Sequence, residues 1–108
     1  MSLVEKKCQA CEGGVPPVGP VEAARLLKEI SGWSLDTESK SIQRFFSFKG
    51  FYSVMSFVNA VAYIAQKEGH HPDMRIGYNY VDIKFTTHAI SGLSENDFIC
   101  AAKVNTLL

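Results

Sequence analysis

The 108-residue sequence contains no run of about 18 apolar residues able to cross a bilayer, and residues 1–7 lack the apolar core and small-residue cleavage site of an export signal. A cytoplasmic protein without membrane contact is therefore expected. An excess of one charge is also missing. Eleven basic residues balance eleven acidic ones, so counterion release offers no drive toward nucleic acid, and a DNA or RNA reader is not expected. Cysteine is scarce and odd in number, with Cys8, Cys11 and Cys100 only, which argues against a disulfide framework. Cys8 and Cys11 have the spacing of half a structural zinc site, but the matching half is missing and no strand–helix context for a redox motif surrounds them. They read as reduced thiols in a mobile segment. Internal repeats and low-complexity blocks are absent too, and the length suits one domain with its own core rather than two.

What is present is a succession of periodic segments. Residues 12–20 are rich in Gly and Pro, so residues 1–19 are expected to be a flexible N-terminal segment and 20–108 the folded domain. Val21, Ala24, Leu26, Leu27 and Ile30 predict an amphipathic helix that Gly32 can end. Residues 33–35 and 41–48, joined by a polar turn, predict a hairpin with Trp33, Leu35, Ile42, Phe46 and Phe48 toward the core and Phe45 on the other face. The strongest helical stripe spans residues 50–67. Phe51, Val54, Val58, Val61 and Ala65 form it, Met55, Phe57, Ala62 and Ile64 widen it, and Gly69 stands where a left-handed C-cap belongs. Tyr52, Ser56, Asn59, Tyr63 and Gln66 make the opposite, polar-aromatic face.

Two more strands follow, over 74–78 and 80–88 around Asn79, the second burying Val81, Ile83 and Phe85 and leaving His88 on the wet parity. Ser94 and Asp97 then have the spacing of a capping box opening a last helix, with Phe98, Ile99, Ala102 and Leu107 as its apolar positions. The order α-β-β-α-β-β-α implies an α+β fold, a four-stranded antiparallel sheet with three helices packed on one face. So short a sheet leaves edges that a second subunit could cover, and a homo-oligomer is expected.

All three histidines fall within residues 70–88, and no other segment concentrates groups that exchange protons near neutral pH. His70 and His71 follow directly on a helix C-terminus. Pro72 disfavours helical backbone at His71, so the two adjacent rings should point to different sides. The strand ending at His88 can pair antiparallel with the one leaving His71, which returns the third ring to the first two. Acid–base catalysis, a three-histidine metal site and structural histidines are the readings open here, and the divergence of His70 and His71 weighs against metal. Asp73 and Asp97 are the carboxylates available as supports.

His70-His71-Pro72, then Tyr78, His88 and Asp97 at their spacings, with Thr87-His88 and Gly92-Leu93-Ser94, resemble the signature of the pterin-4a-carbinolamine dehydratases. The resemblance runs from the Gly32-Trp33 step to the C-terminus. It departs at Gln66, where the family has a charged, often acidic, residue; Glu68 is two positions away from that place. The resemblance implies dehydration of a 4a-hydroxytetrahydropterin to the quinonoid dihydropterin, recycled for an aromatic amino acid hydroxylase, with neither cofactor nor metal and with a homodimer or homotetramer as the assembly. By similarity, His70 and His88 are candidates for proton transfer at the 4a-hydroxyl and N5. His71, Pro72, Tyr78, Thr87 and Asp97 are candidates for holding the pterin, with His71 able to share the transfer. The alternative on the same fold is a non-enzymatic dimerisation or coactivator-type binding module, or a protein serving another pathway such as assembly; the three histidines favour the enzyme.

Overall fold

Burial alternates along the longest strands, with Val81, Ile83 and Phe85 buried in one and Ile42 and Phe46 in the other, and this alternation lays out the molecule. The computed structural model describes residues 2–10 and 16–108, and the expectation for Cys11 lies outside them. Helix α1 is Pro20–Leu27, β1 Ser34–Leu35, β2 Ile42–Ser47, α2 Phe51–Glu68, β3 Asp73–Ile76, β4 Tyr80–Phe85 and α3 Glu95–Asn105, with short 3₁₀ turns at Leu3–Glu5 and His88–Ile90. The strands form one antiparallel sheet in the order β1-β2-β4-β3. The α+β architecture expected from the sequence is the one observed.

Register decides which side chains become core. Ile42 lies opposite Phe85 and Phe46 opposite Val81, and these four, with Ile83, are buried under the helices. The opposite parity faces outward: Phe45 stacks on Tyr80 with ring centroids 5.3 Å apart, and Gln43 and Arg75 donate to Asp82. Along α2, Val54, Phe57, Val58, Val61 and Ala65 are buried, whereas Phe51 and Ala62 are exposed. Full burial of each such aliphatic side chain contributes about 1.5–3 kcal/mol. Trp33 joins this core against Phe46 and Phe85, and its Nε1 donates to Asn105 Oδ1, which also accepts from Arg44. That shared acceptor fastens the end of α3 to the segment before β1.

Two sequence expectations meet a different arrangement. In α1 the buried line is Ala23, Leu26 and then Ile30, while Val21 and Ala24 face water. Pro20 starts this helix at its first turn and only two turns form, so one narrow line of contact is available and the bulkier Leu26 and Ile30 set it. Residues 2–10, expected to be flexible, pack against the ends of α2 and α3. Leu3 is buried, Lys103 Nζ donates to the Val4 carbonyl, and Lys6 pairs with Glu95. The few apolar residues of this stretch, Leu3 and Val4 and then Cys8 and Ala10, follow neither helical nor strand spacing, so this docking has no sequence signal. No helix among the described residues is long and apolar enough to cross a membrane.

Candidate active site

The C-terminus of α2 sets the first functional side chain. Gly69 takes the left-handed conformation (φ 68°, ψ 28°), the His70 N–H returns to the Ala65 carbonyl at 3.1 Å, and the chain leaves the helix axis. Nothing lies within 4 Å of where a Cβ would stand on Gly69, so glycine is wanted there for its backbone and not for space. The turn aims His70 inward. Its side chain is only 12% exposed, its ring lies parallel to that of Phe85 at 5.9 Å, and its Nε2 is 2.6 Å from Asp97 Oδ1.

Asp97 is fully buried, and the start of α3 explains why it can be. It is the third residue of the helix, where it closes the capping box by accepting the Ser94 N–H on Oδ2 at 2.9 Å. Thr87 Oγ1 donates to the same oxygen at 2.8 Å. Because that proton is committed, the 2.8 Å contact between Thr87 Oγ1 and Ser94 Oγ is donated by Ser94. With Oδ2 already satisfied, Oδ1 is left for His70. A carboxylate accepts only, so the neutral imidazole carries its proton on Nε2 and keeps Nδ1 as the acceptor.

His71 and His88 are exposed, and they stand at the rim. β4 ends at Phe85, sooner than the sequence suggested, and His88 begins the 3₁₀ turn that follows. Thr87 and Gly92 bridge the base of that turn through a 2.9 Å hydrogen bond, and Ser91 adopts φ 53° to close it. The three histidines, Thr86, Thr87 and Asn96, with Gln9 and Ala10, line a single cleft of about 300 Å³. This is near the lower end of small-molecule sites, about 300–1,000 Å³. A larger groove of about 560 Å³ lies between α2 and α3, lined by residues such as Tyr63, Ile64, Lys67 and Leu107, and no histidine reaches it. Among the described residues, no three His, Cys, Asp or Glu side chains are grouped to hold a metal ion.

The candidates from sequence are therefore divided. His70, His71, His88 and Thr87 line the cleft, and Asp97 supports it from behind. Pro72 follows His71 without lining the cleft, and Tyr78, 71% exposed at the turn before β4, is not brought to it. Glu68 does not occupy the place left by Gln66; it accepts the Cys8 N–H at 2.9 Å and faces Lys103. Burial alone would raise the Glu68 carboxyl, but these donors and charges outweigh it and hold the group below its ordinary range. Sequence reasoning missed Gln9 and Ala10, and it gave no role to Asn96, which stands between Ser94 and Asp97.

The same arrangement can be set beside known proteins. The family model described as pterin 4 alpha carbinolamine dehydratase matches residues 16–107. The chain belongs to this family. Its members are hydro-lyases. A relative from Nitrosomonas eutropha, provisionally named a pterin-4-alpha-carbinolamine dehydratase, is 57% identical over 107 residues, covering 98% of this chain and 93% of that protein. One from Halorhodospira halophila with the same provisional name is 48% identical over 99% of this chain and 98% of its own. Among solved structures, the transcriptional coactivator/pterin dehydratase from Brucella melitensis superposes with a TM-score of 0.80 at 32% identity, over 84% of this chain and 97% of that one. A pterin dehydratase-like protein identified as a RuBisCO assembly factor in the alpha-carboxysome gives a TM-score of 0.61 at 25% identity, over 70% and 88%. The pterin dehydratase family thus supplies the comparison for the fold.

Proposed function

We propose that this chain dehydrates a 4a-hydroxytetrahydropterin to the quinonoid dihydropterin, using the three histidines of the cleft. The observation that carries the reading is the convergence of His70, His71 and His88 on one small cleft, with His70 alone fixed by a buried carboxylate. The reaction needs two proton movements. The 4a-oxygen must gain a proton to leave as water, and N5 must lose one as the C4a–N5 double bond forms. His70 accepts the N5 proton at Nδ1 while Asp97 holds its Nε2–H, and His88, on the rim turn, donates to the departing oxygen. Bulk solvent then takes the proton from His70 and returns one to His88, so both rings regain their starting states and the net change is loss of one water. His71 holds the pterin and can share the transfer, and Thr87 belongs to the wall against which the ring sits.

The product suits recycling for an aromatic amino acid hydroxylase, and we assign the protein that role in the cytoplasm. A homodimer or homotetramer is supported by β3, which pairs with β4 alone and leaves its other edge uncovered among the described residues, with Ile76 40% exposed on it. The names of the Brucella melitensis protein and the carboxysome factor attach other roles to this fold. A scaffold has no use for three imidazoles around one cleft, and this ranks the enzyme first. A stopped-flow assay of 4a-carbinolamine decay decides it: faster decay with the protein is expected, and an unchanged rate would transfer the proposal to a binding module.

A further inference from the structure

Residues 2–10 precede the family-matched region, and they are fastened at both ends. Leu3 enters the core at one end. At the other, Asn96 clamps both backbone groups of Gln9, accepting its N–H at 3.0 Å and donating to its carbonyl at 2.5 Å. Between them Glu68 accepts the Cys8 N–H, and Cys8 Sγ stands 3.6 Å from Cys100 Sγ. Cys8 is half-buried and Cys100 fully buried in α3, with its sulfur also 4.0 Å from the His70 carbonyl oxygen. The thiol pair therefore sits directly behind the cleft, one residue from the Gln9-Ala10 wall.

We propose that residues 2–10 are a strap completing one wall of the histidine cleft, and that Cys8 and Cys100 latch it by forming a disulfide. The wall rests on the dehydratase reading only for the identity of what the cleft holds. A disulfide is about 2.05 Å long, so the two sulfurs must approach each other by about 1.5 Å. The oxidant is a small-molecule disulfide such as glutathione disulfide. Cys8, the more accessible, attacks one of its sulfurs as thiolate, breaking that S–S bond and expelling one glutathione. Cys100 then attacks the Cys8 sulfur of the mixed disulfide and expels the second. Two protein thiols are oxidised, one glutathione disulfide is reduced to two thiols, and the two cysteine protons end on the two glutathiones. The hydrogen bond with Cys8, and then burial, push the Cys100 thiol far above its ordinary range, so the second step is slow and quickens as pH rises.

The test uses the full chain incubated with glutathione disulfide at alkaline pH, then digested and mapped by mass spectrometry. A Cys8–Cys100 link as the main product is expected; a Cys8–Cys11 link, or mixed disulfides alone, would overturn the latch. Hydrogen exchange gives a second readout. The Gln9 amide should exchange about tenfold more slowly in the oxidised protein, with no such change in Cys8→Ser after the same treatment. Equal exchange in both redox states would remove the strap from any latching role. Neither readout involves turnover, so an inactive protein would count against the proposed reaction and not against the latch. The wall itself is probed by the affinity for 7,8-dihydrobiopterin, expected to tighten about threefold on oxidation and to revert with a thiol reductant, because a fixed wall needs less ordering on binding. Binding equal in the two states would show that the strap is no part of the site.

Discussion

His70, side chain 12% exposed, is held by Asp97 and stacked on Phe85, whereas His88 lines the same cleft from an exposed three-residue turn. The two rings differ in what they can do. A fixed tautomer at a fixed place suits a group that takes a proton from one atom of a bound ring system. A ring on a short rim turn can follow an oxygen as it moves from substrate to product. Floor and rim together supply the precision and the adaptability that a dehydration requires.

The sharpest way to break this comparison is to remove one ring of each kind. The His70→Ala/His88→Ala double variant should lose about 10²–10⁴-fold in kcat, close to the whole acceleration, with each single loss smaller than its share because the other ring partly substitutes. Steady-state kinetics with folding checked by circular dichroism would measure it, and near-wild-type turnover would take both residues out of the mechanism. Asp97→Asn comes next. It presents an amide where three donors already point, so His70 loses its fixed tautomer; kcat should fall about 10²-fold with KM little changed. Unaltered kcat would mean that the floor needs no anchoring. His71→Ala should raise KM about tenfold while kcat stays within about threefold, the mark of binding shared by ground and transition states. A loss confined to kcat would move His71 into proton transfer.

The smallest effect concerns the far wall of the cleft and acid. The folded-state pKa of Glu68 is depressed, so the strap docking it provides is fully present above the ordinary glutamate value of 4.5 and is lost as pH falls through the lower folded value. Amide NMR signals of Cys8 and Gln9 should therefore hold steady from neutral pH to about 4.5 and shift only below it, while Glu68→Gln should abolish that transition. A shift already complete above this value would separate the strap from Glu68.

Much of the fold is legible in the sequence, for reasons that differ by element. β4 and α2 each carry a period strong enough to fix the face they bury, and Gly69, Ser94 and Asp97 are local signals whose chemistry acts within four residues. The link between His70 and Asp97 was not legible from periodicity, because it joins the end of one helix to the start of another across 27 residues; only the family resemblance placed Asp97 near the site. Tyr78 came from the same resemblance and does not line this cleft, because the turn before β4 holds it out in solvent. Asn96 and Gln9 pair through a side-chain amide and a backbone segment with no period of its own, so neither left a mark in the pattern of apolar residues.

The two oxygens of Asp97 have divided labour, one for His70 and one for Ser94 and Thr87. Active-site groups are ordinarily a burden on stability, and selection for a sturdier protein tends to shed them. Here that pressure runs the other way. A library screened for thermal robustness alone should drift freely at His71 and His88 and still return aspartate at position 97, so drift that erases the unused histidine pair at the rim would leave the socket for the third intact. A descendant that gave up catalysis would keep the mould of the site long after losing the reaction.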